Sequence, residues 1–103
     1  MIQFTDEAIF YLDELIVVLY IKEYFGFIES AEVYVERIYD FIDDNIENFT
    51  QRTTPINLKK FGPNYIFFKI NPRTTWYIFF EQQDDNFLIT YILNNHCEEA
   101  KYL

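Results

Sequence analysis

Three apolar runs in the second half of the chain decide the fold: YIFFKI at residues 65–70, TWYIFFE at 75–81 and FLITYIL at 87–93. Each run has the length of a strand and is rich in aromatic and β-branched residues, which suit a pleated surface. The short polar segments between them consist of turn-forming residues. Connections this short can join only antiparallel neighbours. The pattern therefore predicts a three-stranded antiparallel meander, with strands at about 64–70, 74–82 and 86–94.

The first half of the chain predicts a short strand followed by two helices. Residues 2–4 alternate apolar and polar side chains, as a short edge strand does. Thr5 is a suitable N-cap for a helix over about 6–25, and Ser30 for a second helix over about 30–49. The short connection between them predicts an antiparallel helical hairpin. Residues 50–63 are expected to form a connecting loop.

This order of elements indicates one α+β domain spanning residues 1–103, with the helical hairpin packed on one face of the meander. Because every predicted strand is apolar on both pleat faces, the face away from the helices is also apolar. Its candidate residues are Tyr65, Phe67, Tyr77, Phe79 and Tyr91. An uncovered aromatic face of this size marks a binding surface. The alternative is that the 50–63 loop or a second copy of the chain covers it.

The first predicted helix is apolar on more sides than one neighbour can cover. Ile9, Leu12 and Ile16 can face the core at helical spacing, but Phe10 and Val17 cannot face it as well. Either the sheet and the second helix enclose this helix, or part of it meets a partner. A homodimer through the first helix is therefore an open alternative.

The charge of the chain is strongly acidic and unevenly distributed. The formal net charge is −9, and residues 1–50 hold twelve acidic against two basic side chains. Residues 51–103 hold five acidic and six basic side chains. Such a balance argues against a general nucleic-acid binder, which needs clustered Lys and Arg. It also directs the search for a site to the sheet half, since the acidic helices suit a solvated surface.

Composition also sets the expected compartment. The longest unbroken apolar run, residues 15–21, is far shorter than the roughly 20 residues of a membrane span, and no basic leader precedes it. The single cysteine, Cys97, can form no disulfide within the chain and belongs to no metal-ligand pattern. We expect a cytoplasmic protein without membrane attachment, metal or cofactor.

The sequence contains no strong catalytic motif, and the polar residues of the sheet half are scattered. His96, the only histidine, follows the last predicted strand and can serve as a general acid or base. Arg73 lies in a predicted turn and can bind phosphate or a carboxylate, and Glu81 is a weaker candidate for a general base. His96 and Arg73 each have a structural alternative: a hydrogen-bonding histidine and a solvated turn arginine. Lys59 and Lys60 form a basic pair ahead of the meander that is either solvated or partner-binding.

The segment RTTWYIFFE at residues 73–81 and the segment FLITYILNNH at 87–96 together resemble the C-terminal half of RelE/ParE-superfamily toxins, the plasmid stabilisation type. The resemblance extends to the order of elements, because those toxins begin with a short strand and a helical hairpin before the sheet. It implies a cytoplasmic toxin of a type II toxin–antitoxin pair, neutralised by a cognate antitoxin.

The superfamily implies two activities. RelE-like members cut mRNA on the ribosome without a metal, which here would use His96 and Arg73, with either Glu81 or Lys60. ParE-like members lack that set and inhibit DNA gyrase. Trp76 occupies the place where nucleases often carry arginine, and Tyr102 resembles the terminal Tyr of some nucleases. The net charge of −9 favours the gyrase-directed role, and a non-toxic interaction module is the remaining alternative. The expected partner-binding residues are Lys59, Lys60, Tyr77, Phe79, Tyr91 and Tyr102.

Overall fold

Two helices lie on one face of a five-stranded mixed sheet in the computed structural model, which describes residues 1–21 and 26–103. The fold is therefore α+β, as the element order predicts. The helices are α1 (Asp6–Ile21) and α2 (Ile28–Asn45), and two 3-10 helices span Ile56–Phe61 and Glu98–Tyr102. The strands are β1 (Ile2–Phe4), β2 (Arg52–Thr53), β3 (Asn64–Asn71), β4 (Thr74–Gln83) and β5 (Asn86–Asn94).

The sheet is wider than the predicted three strands, and that part of the prediction is wrong. Its order is β1-β5-β4-β3-β2, and the predicted strands form its antiparallel centre as β3, β4 and β5. The predicted N-terminal strand is present, but it pairs in parallel with β5. β2 adds an antiparallel edge beside β3. The sequence does not reveal these pairings, because strands of two or three residues are too short to show an alternation of apolar and polar side chains.

The helix boundaries agree with the prediction at one end and differ at two others. Thr5 caps α1, since its Oγ1 accepts a hydrogen bond from the Ala8 amide at 3.2 Å. The prediction that α1 reaches residue 25 concerns residues outside the described ones. α2 begins at Ile28 and not at residue 30, and Phe27 stands at its N-cap position without a side-chain cap. It ends at Asn45, four residues early, where the Asn45 side chain donates to the Phe41 carbonyl at 2.9 Å.

Both faces of the sheet are covered, which gives the domain two apolar cores. The helices enclose the larger core, which includes Leu12, Ile38, Trp76 and Phe80. The predicted 50–63 loop is instead β2 and the first 3-10 helix, whose Leu58 is buried on the opposite face with Tyr65, Phe79 and Leu93. Side chains from the second 3-10 helix and its flanks complete that smaller core. The alternative in which the 50–63 segment covers this face is the one observed.

Bulges bend the two long strand pairs. Ile70 of β3 is unpaired where the register shifts between Lys69 and Asn71, and its carbonyl accepts a hydrogen bond from Arg37 Nη2 at 3.2 Å. Thr90 of β5 is skipped where the register shifts between Phe79 and Phe80. Within the described residues no helix is both long and apolar enough to cross a membrane.

Candidate functional site

Asparagine side chains bind the β3–β4 turn to the chain that leaves β5. Asn95 Oδ1 accepts a hydrogen bond from the Thr75 amide at 2.9 Å, and Asn95 Nδ2 donates to the Arg73 carbonyl at 3.1 Å. The turn itself is fixed by Asn71 Oδ1, which accepts from the Arg73 amide at 2.9 Å. These bonds bring the segments of Arg73 and His96 together, although the two residues are far apart in sequence.

His96 lies at the surface of this turn. Its amide donates to Asn94 Oδ1 at 2.8 Å, and its Nε2 lies 3.3 Å from the Thr74 hydroxyl. The ring is exposed and lines a shallow depression that Arg73 also lines. The structure therefore places together two of the three predicted catalytic residues. An exposed imidazole beside a guanidinium and a hydroxyl can exchange a proton with a bound anion.

Glu81 lies too far away to complete this site. It is exposed on β4, opposite Leu88 of β5, seven residues beyond Thr74 along the strand. At about 3.3 Å per residue, this separation is about 23 Å. The structure therefore does not bring Glu81 together with His96 and Arg73. Glu98 and Lys101 form the one ion pair among the described residues, so the Arg73 guanidinium forms no ion pair with a carboxylate of those residues.

Behind His96 lies an aromatic groove of about 510 Å³ between α1, α2 and the end of the sheet. Its apolar wall is formed by Tyr11 and Leu15 of α1, Tyr34 of α2 and Trp76 of β4, and His96 stands at its rim. Trp76 is 1% exposed, and its indole Nε1–H donates to the Tyr34 hydroxyl at 3.1 Å. Both tyrosine rings meet the indole edge-on, at centroid distances of 6.5 and 6.4 Å. The groove can accept a small apolar or aromatic group.

Burial, with smaller electrostatic contributions from the nearby ionisable groups of Cys97, Tyr91 and Tyr34, raises the pKa of Tyr11 to about 12. The hydroxyl of Tyr11 is therefore protonated at any physiological pH. It can donate a hydrogen bond within the groove, but it cannot act there as a general base.

The predicted partner-binding residues separate into two groups. Phe79 is fully buried beneath the first 3-10 helix, so it reaches no partner at the surface of this fold. Tyr77 lies on the same face and is half-buried. Tyr91 is also half-buried, because it stacks on Phe61 with ring centroids 4.2 Å apart. These predicted residues thus lie on one face of the sheet, but Phe79 at its centre is buried in the smaller core.

The remaining members of the set are exposed. Lys59 and Lys60 project from the first 3-10 helix, and Lys60 Nζ lies 5.2 Å from the centroid of the Phe61 ring. Lys60 also lines a depression with Glu7 of α1 and Tyr91. Tyr102 is 45% exposed on the second 3-10 helix. These residues remain accessible for contact with another molecule.

The helices present two outer faces of opposite character. On α1, Phe10, Glu14, Val17 and Ile21 are all exposed and lie at i, i+4, i+7 and i+11, which is one face of a helix. We call these four residues the α1 seam. On α2, the same spacing carries Glu29, Val33, Glu36, Asp40 and Asp43, all exposed, which we call the α2 acid row. The α1 seam is apolar except for Glu14, with the exposed Glu7 one turn before Phe10, and the α2 acid row is acidic except for Val33.

Reasoning from the sequence did not identify Tyr11 or Tyr34 as part of the site. Their position i+3 to i+4 from buried residues of α1 and α2 signals that they border the core. Their convergence on Trp76 depends on how the helices cross the sheet, which periodicity does not state. Among the described residues, no group of three potential ligands is placed to hold a metal ion.

Comparisons of the chain with protein-family models, with curated proteins and with solved structures each found no match.

Proposed function

We propose that this protein is the toxin of a type II toxin–antitoxin pair. In this proposal it acts by binding a protein target, preferably DNA gyrase, and a cognate antitoxin neutralises it. The resemblance of residues 73–81 and 87–96 to RelE/ParE-superfamily toxins motivates the proposal. The observed order of a short strand, two helices, the two-residue β2, a 3-10 helix and three consecutive antiparallel strands is compatible with it. A RelE/ParE-like fold is part of the same proposal.

The observation that carries action by protein contact is the exposure of the α1 seam. Phe10 is 66% and Ile21 is 70% exposed, and Val17 lies between them on the same face. A row of exposed large apolar side chains on one helix, interrupted by Glu14, favours a protein–protein contact. The acidic charge of the chain supports a protein target over an RNA target, because RNA phosphates would be repelled.

Induced expression of the chain without any neighbouring gene tests the toxin proposal. Arrested growth is the expected result, and normal growth of cells that contain the folded protein contradicts it. Purified protein is then added to a gyrase supercoiling reaction, in which loss of supercoiling is expected. The control is the same protein carrying Phe10→Ser and Val17→Ser, which remove apolar area from the α1 seam while leaving the core intact.

The second candidate function is a RelE-like, metal-independent and ribosome-dependent mRNA endonuclease. One observation favours it: Arg73 and His96 line the same depression, and the Thr74 hydroxyl is within reach of the imidazole. In such a nuclease His96 would move the proton and Arg73 would bind the scissile phosphate. Glu81 does not line this depression, and none of the described residues that line it carries a carboxylate, which weighs against the candidate.

Transcript cleavage on programmed ribosomes separates the two candidates. The endonuclease is supported if the wild type cuts transcripts and if His96→Ala and Arg73→Ala each abolish the cutting. Glu81→Ala should leave the cutting intact. Inhibition of gyrase that survives both substitutions supports the contact mechanism. If the protein causes no growth arrest and shows neither activity, the third candidate, a non-toxic interaction module, is the one that stands.

A further inference from the structure

The α1 seam has the spacing of a short coiled-coil interface. Positions i, i+4, i+7 and i+11 alternate between the two core positions of a heptad. Phe10 and Val17 share one core position, and Glu14 and Ile21 share the other. The four residues cover about 16 Å along the helix axis, at about 1.5 Å per residue. The seam therefore matches two heptads of a partner helix, with one charged residue inside an apolar row.

Glu14 decides which partner this seam can accept. A charged or polar side chain at one core position fixes the choice of partner, because it must find a complementary group in a desolvated interface. A parallel second copy would place Glu14 directly against its counterpart. An antiparallel second copy would leave the two carboxylates about 5 Å apart along the axis, since three residues separate them. Both arrangements bury like charges next to each other, which disfavours the homodimer.

The α2 acid row adds a second electrostatic requirement. α1 and α2 pack against each other on the same face of the sheet, so their outer faces point in the same general direction. The four acids of this row, Glu29, Glu36, Asp40 and Asp43, are therefore exposed on the outer side of the helix that packs beside the one carrying the seam. A helix lying on the seam would approach these acids with its own flank. Only a basic flank would be attracted there, and an acidic one would be repelled.

We propose that the α1 seam binds an amphipathic helix of a partner protein whose apolar row is interrupted by one Lys or Arg opposite Glu14, with further Lys or Arg along the flank that faces α2. This inference rests on the proposed function only in taking the partner to be a protein, the antitoxin or the target. It reverses the usual expectation of a basic toxin and an acidic antitoxin. The partner is recognised by charge as well as by apolar contact.

The probe is a synthetic 21-residue helical peptide with Leu at its core positions, Lys at the central one and Lys along one flank. The matched control peptide carries Glu in place of every Lys. Fluorescence anisotropy with the whole chain should show binding of the basic peptide at least tenfold tighter than binding of the acidic one. Equal binding of the two peptides, or binding of neither, overturns the inference.

Variants of the protein assign the effect to Glu14. Glu14→Lys should weaken the preference for the basic peptide, because only the α2 acid row would still favour it, while Asp85→Lys in the β4–β5 turn makes the same change in net charge and should leave the preference unchanged. Glu14→Leu should make the seam self-complementary, so that sedimentation equilibrium shows a dimer where the wild type is a monomer. A wild-type dimer that Val17→Glu dissociates would show that a second copy occupies the seam, and it would overturn the inference.

The outcomes separate this inference from the toxin proposal. Discrimination between the peptides together with normal growth on induction supports the seam and rejects the toxin. Growth arrest without discrimination rejects the seam and leaves the toxin standing.

Discussion

The indole Nε1–H of Trp76 donates a hydrogen bond to the Tyr34 hydroxyl at 3.1 Å, and this bond joins β4 to α2 at the floor of the aromatic groove. Trp76 is 1% exposed, so its N–H would have no water to replace that acceptor. A buried indole needs a partner for its polar edge. The bond therefore fixes how the helical layer sits over the sheet where Tyr11, Tyr34 and His96 meet.

Removal of that acceptor should destabilise the fold. Tyr34→Phe keeps the ring and leaves the Trp76 N–H without this partner, which should cost about 1–3 kcal/mol in the free energy of unfolding. Urea unfolding followed by Trp76 fluorescence measures the change. Tyr20→Phe, at an exposed position of α1, is the control and should stay within about 0.5 kcal/mol of the wild type. Equal stability of the two variants would contradict the role assigned to the bond.

The Asn95 side chain should determine the order of the Arg73–His96 region. Asn95→Ala removes its bonds to the Thr75 amide and to the Arg73 carbonyl, at a cost of about 1–2 kcal/mol. Because the Thr75 amide loses its acceptor, its hydrogen exchange should accelerate, while amides in the middle of β4 should change less. The exposed Asn57 of the first 3-10 helix provides the control, Asn57→Ala. Unchanged exchange at Thr75 would show that other contacts hold the turn.

Gly62 should tolerate no side chain. Its φ is +153°, and an added Cβ would lie 2.5 Å from Thr90 Oγ1 and 3.2 Å from the Phe80 amide nitrogen. The backbone conformation alone costs a non-glycine residue about 1–3 kcal/mol, and the contact with Thr90 adds to this. Gly62→Ala should therefore lower the denaturant midpoint clearly. Gly26→Ala meets no atom within 4 Å and should change stability by less than about 1 kcal/mol.

Stability should fall at high pH through Tyr11. Burial raises the pKa of Tyr11 from 10.0 to about 12 in the folded state, so folding favours the protonated hydroxyl. The resulting stability is fully present below pH 10 and is lost as the pH rises from about 10 through about 12. Denaturation midpoints of the wild type and Tyr11→Phe at several pH values in this range measure the effect. The variant should show a shallower decline, although Tyr39 and Tyr91, whose pKa values burial also raises, keep part of it. Parallel declines would contradict the assignment to Tyr11.

The strands of the central meander and the cap at Thr5 follow directly from local sequence. Apolar runs of strand length between turn residues predict strands with few alternatives. A Thr directly before two acidic residues predicts the N-cap of a helix. The start of α2 was misplaced because Ser30 is a better cap by residue type, yet the helix begins earlier without a side-chain cap. Local preference here is weaker than the packing of Ala31 and Val35 in the core.

The site was predictable only in part. His96 and Arg73 were both identified, but their proximity depends on the Asn95 bonds, which join residues about twenty positions apart. Glu81 could have been separated from them by strand geometry alone, because seven strand residues span more than 20 Å. The α1 seam was foreseen as excess apolar surface. Its outward direction and its acidic neighbour on α2 required the arrangement of both helices.

The bulge at Thr90 has a consequence for how the sheet finds its register. A sheet that is apolar on both faces loses little burial when a strand slips by one residue, so alternation alone is a poor guide to pairing. In β5 the extra residue sends Ile89 to the helix-side core and Tyr91 to the opposite one, and Thr90 Oγ1 donates to the Phe61 carbonyl at 2.5 Å. A slipped strand would lose that bond and place side chains of the wrong shape in both cores. The bulge therefore disfavours misregistered pairing of β5. Deletion of Thr90 should lower the stability of the fold more than shortening an adjacent turn by one residue.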